Sequence, residues 1–389
     1  MDRIYLSPPH QSGFEETYFK SVLASNWLAP VGPQIEAFEA EISKLSGGSV
    51  CALNSGTSAL HLALVLAKVG LGDYVLVQTN THNATVNPII YQGAIPIFID
   101  SDEETWNMSP QALEQAIENC LNGKYGEAKM PKVILPVHLY GMPANMEAIM
   151  AIANKHDIPV IEDAAESLGS TYGGKHTGTF GKMGIYSFNG NKIITTSGGG
   201  ALVSEDTELI QKARFLATQA RDEAPHYQHS HVGYNYRLSN VLAGIGRGQM
   251  QVLDERIAAR RANFERYKKY FTEVNEKDYN IRFQQEPEGS YSNRWLSCIL
   301  VNPIESKGIT REDIRLAMEA ENIESRPLWK PMHLQPVFEK YPFVGTGVSE
   351  RLFDIGLCLP SGSNLGDGDF KRIFRCLDTI FNQTRNTKP

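Results

Sequence analysis

With 389 residues, 42% of them hydrophobic and 21% charged, the chain is long enough for two or three domains and has the balance of a globular protein in water. Its net charge of −7 excludes a nucleic-acid binder held by a basic field. Every apolar run falls short of the roughly 18–20 residues that span a bilayer, and the opening "MDRIYLSPPHQSGFEE" lacks a signal-peptide core, so a cytoplasmic protein without membrane contact is expected.

In chain order, the short apolar "VCAL" runs into "NSGTSALHLAL" (Asn54–Leu64), a strand feeding a helix. Buried strands follow in "YVLVQT" (Tyr74–Thr79), "IPIFID" (Ile95–Asp100), "KVILPVHL" (Lys132–Leu139), "IPVIED" (Ile158–Asp163), "GIYSF" (Gly184–Phe188) and "GALVS" (Gly200–Ser204). Several are apolar on both faces, as strands of a parallel sheet covered by helices are. Between them, "SPQALEQAIENCLNG" predicts a helix capped by Ser109, with Pro110 first and Gly123 as the stop, and "MEAIMAIANKHDIP" predicts a second. The alternation predicts a doubly wound α/β domain with a mostly parallel sheet, whose ligand lies beyond the carboxyl ends of the strands. From Ser239 to about Tyr270 a single long helical pattern leaves this domain, and its basic run "ERIAARRANFERYKK" reads as a solvated face. "NRWLSCILV" then predicts a strand and "TREDIRLAMEAENI" a helix. The expected division is a large α/β domain over residues 1–255 and a smaller α+β domain over 256–389, ending in a frayed "NQTRNTKP".

Three features carry chemistry. Gly56, Thr57 and Ser58 open a helix after a strand, which is either plain capping or a phosphate site. Asp163 ends a buried strand, so it is either a helix cap or a carboxylate delivered to the site edge of the sheet. Lys192, in "SFNGNKIITTSGGGAL", has no charged neighbour in sequence, which is expected to leave its amine unpaired and able to lose its proton. A phosphate cradle, a strand-end anion and a reactive amine are together what a pyridoxal phosphate enzyme requires. The five dispersed cysteines form no C-x-x-C pair and read as reduced thiols, and "HYQHSH" (His226–His231) has no standard metal spacing, so no metal is expected. "GGKHTGTFG" lacks the context of a dinucleotide fingerprint, which argues against a Rossmann oxidoreductase.

The motifs "SGTSAL", "EDAAESLGS", "GTFGKMGIYSFNGNKIITTSGGGAL" and "GYNYRLSNVLAGIG" resemble the DegT/DnrJ/EryC1/StrS family of nucleotide-sugar aminotransferases over nearly the whole chain. The resemblance implies fold type I, the architecture of the aspartate aminotransferase superfamily, with pyridoxal phosphate as cofactor and L-glutamate as amino donor. Within the family, "YSFNGNKIITTSGGGAL", "ATQARDEAPHYQHSHVGYNYRLSN", "SNRWLS" and "RPLWKPMHLQPVF" resemble the bacillosamine-pathway branch, which makes UDP-4-amino-4,6-dideoxy-N-acetylglucosamine from a UDP-sugar. A GDP-4-keto-6-deoxymannose aminotransferase of perosamine type, a 3-keto-sugar aminotransferase and a catalytically silent protein on the same fold are the alternatives.

Position by position, the resemblance implies that Lys192 is the Schiff-base lysine and Asp163 the partner of the pyridine nitrogen. Gly56, Thr57 and Ser187 bind phosphate, and Asn235 reaches it from the neighbouring subunit of a homodimer. Glu166 stands near the phenolic oxygen, where a second negative charge is expected to raise its pKa. His82 stands where the family usually places an aromatic residue stacked on the ring; the plainer reading is a structural histidine in the strand-to-helix turn. Asn191, Arg326 and His333 are expected to bind substrate, the last two at the nucleotide diphosphate. The "HYQHSH" loop is expected to reach the partner's site, and the glycines of "TTSGGGAL" to leave room for the cofactor.

Overall fold

The computed structural model describes residues 2–382; the last seven residues of the tail expected to fray, 383–389, lie outside them. One sheet dominates. Its strands run in the order Ser49–Leu53, Gly200–Ser204, Met183–Ser187, Ile161–Asp163, then Val133–Leu135, Tyr74–Gln78, Ile95–Ile99 and Phe343–Val344. Two parallel bridges, Ile134 to Val160 and Val137 to Asp163, join its halves. All pairings are parallel except those of Gly200–Ser204, which runs antiparallel to both its neighbours. The expected strands are present, four of them shorter, two by a single residue. Val133–Leu135 stops at Pro136, which has no N–H to continue the ladder.

Helices cover both faces. Gly56–Leu66 is apolar all round and buried from Ala59 to Leu64, so it sits within the core rather than on it. Pro110–Leu121 begins as its sequence predicts, with the Ser109 hydroxyl accepting from the Ala112 N–H, and Asn145 caps Met146–Lys155 in the same way.

The single long helix expected after Ser239 is two helices, Asn240–Met250 and Leu253–Asn275. Val252 leaves helical geometry between them, and Asp254 and Glu255 supply the acidic first turn of the second. The first helix is pinned by glycine contacts: a Cβ on Gly246 would lie 2.7 Å from the Phe38 ring, and one on Gly248 would lie 2.8 Å from the Glu15 nitrogen. The basic run of the second helix is also not wholly solvated. Arg256 and Arg260 are buried and donate to carbonyls, Arg256 to Gln11 and Arg260 to Trp295 and Ser361. Their helix lies between the two cores, so this face has no water to turn to.

A second, antiparallel sheet orders Ile281–Phe283, Ser297–Val301, Gly356–Leu359 and Arg326–Pro327, with helices Arg311–Ala320 and Asp367–Phe381 packed on it. Its core includes Ile4, while Phe343–Val344 returns to the edge of the first sheet. Neither core is therefore made from one continuous stretch of chain.

Candidate active site

The carboxyl ends of the parallel strands open onto a cavity of ≈ 290 Å³. Helix Gly56–Leu66 points its N-terminus into it. The Ser55 hydroxyl takes the Ser58 N–H at 3.0 Å, while Gly56 and Thr57 line the cavity wall. Ser187, the last residue of its strand, closes in from the side: a Cβ on Gly56 would stand 3.1 Å from the Ser187 Cβ. The antiparallel strand makes this approach possible, because a Cβ on Gly200 would lie 2.5 Å from the Gly56 nitrogen. Of the three consecutive glycines, only Gly198 faces open space, its nearest neighbour being the Asn54 carbonyl oxygen at 4.0 Å. The glycines therefore serve close backbone packing as much as room for a ligand.

Asp163 emerges where its strand ends and is 5% exposed. One carboxylate oxygen accepts the Ala165 N–H at 3.1 Å and the other the Thr85 hydroxyl at 2.7 Å. Glu166 is fully enclosed; its Oε2 accepts the Tyr140 N–H at 2.8 Å and its Oε1 lies 3.1 Å from Lys192 Nζ. Burial raises the Glu166 carboxyl above its ordinary range, while the charge of Lys192 and the Tyr140 N–H draw it back. The direction matches the expectation, though its first cause is desolvation.

Lys192 itself overturns the expectation of an unpaired amine. Its Nζ sits between Glu166 and the face of Trp295, 4.2 Å from the ring centroid. The sequence around Lys192 is uncharged, but Glu166 arrives from 26 residues away and Trp295 from the second sheet's side. Asn191 lines the cavity next to it, and its carbonyl accepts from Ser7 Oγ and Trp295 Nε1, both at 2.7 Å.

His82 has the structural place expected of a histidine in the strand-to-helix turn, and its ring also reaches the cavity wall. It caps helix Asn83–Tyr91, its Nδ1 accepting the Ala84 N–H at 3.1 Å, and its ring lines the cavity edge-on to Trp329. Burial, then the charge of Lys192, lowers its pKa, so it stands there as a neutral ring.

Two expected residues, Arg326 and His333, are not brought into this cavity, and Asn235, expected to act in the neighbouring subunit, lies outside it as well. Arg326 is exposed on the second sheet and paired with Glu324 at 2.8 Å. His333 binds Thr79 Oγ1 at 2.7 Å and Glu350 at 3.1 Å and stacks on Phe343, a buried joint between sheet and small domain. Asn235 is exposed, and its carbonyl accepts from the Asn54 side chain at 3.2 Å. Instead Trp329, from the same segment as Arg326 and His333, lines the cavity, and Lys330 lines an adjoining cleft that shares Thr81, His82 and Trp329 with it. No ion pair of Lys330 occurs among the described residues. Thr85, Trp295, Trp329 and Lys330 were missed in the sequence; "SNRWLS" and "RPLWKPMH" held three of them, but nothing local marked which side chain would face the site. The "HYQHSH" histidines are exposed; His226 bonds to Gln228, His229 to the Gln219 carbonyl, and His231 packs edge-on to Phe215. Among the described residues, no group of three or more His, Cys, Asp or Glu side chains is placed to hold a metal, and no helix is long and apolar enough to cross a membrane.

The residues present fit pyridoxal phosphate. A helix N-terminus with Ser187 beside it suits a phosphate, Asp163 offers a fixed anion, Lys192 an amine within the same cavity, and Gly198 opens toward it. The profile of the DegT/DnrJ/EryC1/StrS aminotransferase family matches residues 9–378. The chain belongs to that family. It is 49% identical over 384 residues to EpsN of Bacillus subtilis, named as a pyridoxal phosphate-dependent aminotransferase, covering 97% of this chain and 96% of that one. It is 34% identical to a GDP-perosamine synthase of Caulobacter vibrioides, covering 98% and 99%. A crystal structure of a family aminotransferase from Brucella abortus superposes with a TM-score of 0.87 at 28% identity, covering 95% of this chain and 96% of that chain. The protein is therefore a pyridoxal phosphate-dependent sugar aminotransferase of fold type I.

Proposed function

We propose that this aminotransferase moves the amino group of L-glutamate to C4 of UDP-4-keto-6-deoxy-N-acetylglucosamine, giving UDP-4-amino-4,6-dideoxy-N-acetylglucosamine and 2-oxoglutarate, as a cytoplasmic homodimer. The observation that carries the chemistry is the convergence of Lys192, Asp163, the Gly56–Thr57 helix start and Ser187 on one cavity. The sugar is supported by the branch motifs, three of which, holding Lys192, Trp295 and Trp329, supply walls of that cavity.

Bound pyridoxal phosphate supplies an electron-withdrawing ring that spreads the negative charge left when a carbon–hydrogen bond breaks. The rest falls to the chain. Lys192 tethers the cofactor and, once displaced, carries the proton on Nζ to and from the reacting carbon, including C4 of the sugar. Trp295 and Glu166 hold that amine in place through both half-reactions. Asp163 keeps the ring nitrogen protonated, and the Gly56 and Thr57 N–H groups with Ser187 hold the phosphate. Neutral His82 offers a ring face without adding charge. Asn235, exposed on this protomer, is assigned to the phosphate of the partner's site, which makes the dimer the working unit. Residues 1–255 supply the cofactor side of the cavity and residues 256–389 the Trp295, Trp329 and Lys330 side. The cleft that holds Lys330 takes the nucleotide's phosphates, replacing Arg326 and His333 in that part.

A second reading, GDP-4-keto-6-deoxymannose as acceptor, is favoured by the 34% identity to a GDP-perosamine synthase. Offering UDP-, GDP- and dTDP-4-keto-6-deoxy sugars to the glutamate-loaded enzyme separates the two. The proposal expects turnover with the UDP-sugar and a C4 amine by NMR; preference for the GDP-sugar, or a C3 amine, would replace it.

A further inference from the structure

Two threonines that no motif singled out stand beside Asp163 in the cavity wall. Thr81 Oγ1 lies 2.6 Å from Thr85 Oγ1, and Thr85 Oγ1 lies 2.7 Å from Asp163 Oδ2. Thr81 and Thr85 are each 1% exposed, so water does not compete for these bonds. The protons can run only one way. An ionised carboxylate only accepts, so the Thr85 hydroxyl must donate to Asp163. That spends its one proton, so toward Thr81 it must accept, and Thr81 donates. A threonine inside a helix commonly turns its hydroxyl back to the carbonyl four residues earlier. Thr85, in the first turn of Asn83–Tyr91, instead reaches across to a strand 78 residues away in sequence.

We infer that Thr85, oriented by Thr81, is a positioning residue that holds the Asp163 carboxylate aimed at the cofactor's ring nitrogen. The inference rests on the role proposed above for Asp163. With the Ala165 N–H on Oδ1 and Thr85 on Oδ2, the carboxylate plane is fixed from both sides before any ligand arrives. A chain of two hydroxyls polarises in one direction, toward the carboxylate. The other charged or titratable groups near Asp163 are Glu166, whose charge opposes it, and His82 and Lys192 on the facing wall. Helix Asn83–Tyr91 thus has two duties at the site: His82 as a wall and Thr85 as the clamp beside the anion.

The test measures the dissociation constant of pyridoxal phosphate for the apoenzyme, and the pH titration of the visible spectrum of the reloaded enzyme. Thr85→Val keeps the side-chain shape and removes the hydroxyl. It is expected to weaken cofactor binding about tenfold, the scale of one lost hydrogen bond to a charged group, and to move the spectral titration. Thr85→Ser restores both to within about twofold, since serine offers the same donor. Thr81→Val, which removes only the orienting partner, shifts them the same way by less. Asp163→Asn serves as reference. If Asp163→Asn loosens the cofactor and Thr85→Val does not, the clamp is overturned while the role of Asp163 stands. If Asp163→Asn leaves binding and spectrum unchanged, the role of Asp163 fails and the clamp with it. If Thr85→Ser behaves as valine does, Thr85 acts by packing, and the inference is wrong.

Discussion

Lys192 and Glu166 make a pair that the local sequence conceals. A salt bridge 3.1 Å long and a tryptophan face hold the amine in the cavity wall. The same gap between local pattern and placement separates Arg326 from Lys330. Both are cations in one short segment, yet Arg326 is spent on Glu324 whereas Lys330 lines the cleft beside the cavity. Lys330→Met is accordingly expected to raise KM for the nucleotide sugar about tenfold or more, the cost of a lost charge-assisted contact, and to leave the glutamate half-reaction unchanged. Arg326→Ala is expected to alter neither. Steady-state kinetics on each half-reaction decides it, and the reverse pattern would return the diphosphate to Arg326. Gly56, Thr57, Asp163 and Ser187 were legible because each sits where a strand ends or a helix begins, and strand order gathers such residues; Lys192, in the loop after Ser187, stood out by its uncharged surroundings. Thr85, Trp295 and Lys330 were not, because their place depends on how a helix or the second sheet packs against that edge.

The strand Gly200–Ser204 shows how an element builds the site without touching the ligand. Running antiparallel between Ser49–Leu53 and Met183–Ser187, it brings the strand before the helix start alongside the strand that ends in Ser187. Its first residue must be glycine, since a Cβ there meets the backbone of Ser55 and Gly56 at about 2.5 Å. Gly200→Ala is expected to cost about 1–3 kcal/mol of stability through that clash and to weaken cofactor binding by displacing the N-terminus of helix Gly56–Leu66, proposed above to hold the phosphate. Denaturant melts with and without cofactor read both, and an alanine variant matching the parent in each would contradict this account. The parallel strands and capped helices were readable from period and capping residues. The break between Asn240–Met250 and Leu253–Asn275 was not, because the helical pattern runs on through it; Leu253 and Ile257 still share the core of Ala243, and Tyr267, Phe271 and Val274 reach the core of the second sheet.

Across the whole molecule, burial sets the response to acid. Burial lowers the pKa values of His10, His61, His82, His176 and His333 below the ordinary 6.5. For each, the folded state binds fewer protons than the unfolded chain, so its contribution is present above pH 6.5 and lost as pH falls through the folded value. Glu166 acts in the opposite sense. Its raised pKa gives stability that is full below the ordinary carboxyl value and lost as pH rises through the folded value. The melting midpoint is therefore expected to fall between pH 7 and 5.5 as these histidines take up protons on unfolding. Thermal melts across that range check it; a flat or rising midpoint would contradict it. The assignment as a whole rests on Lys192, and the visible absorption of the purified enzyme tests that most directly. The cofactor band should fade on adding L-glutamate and return on adding UDP-4-keto-6-deoxy-N-acetylglucosamine, while Lys192→Ala keeps the fold but shows neither change. A parent enzyme whose band ignores glutamate, or a Lys192→Ala variant that still turns over, would contradict the account.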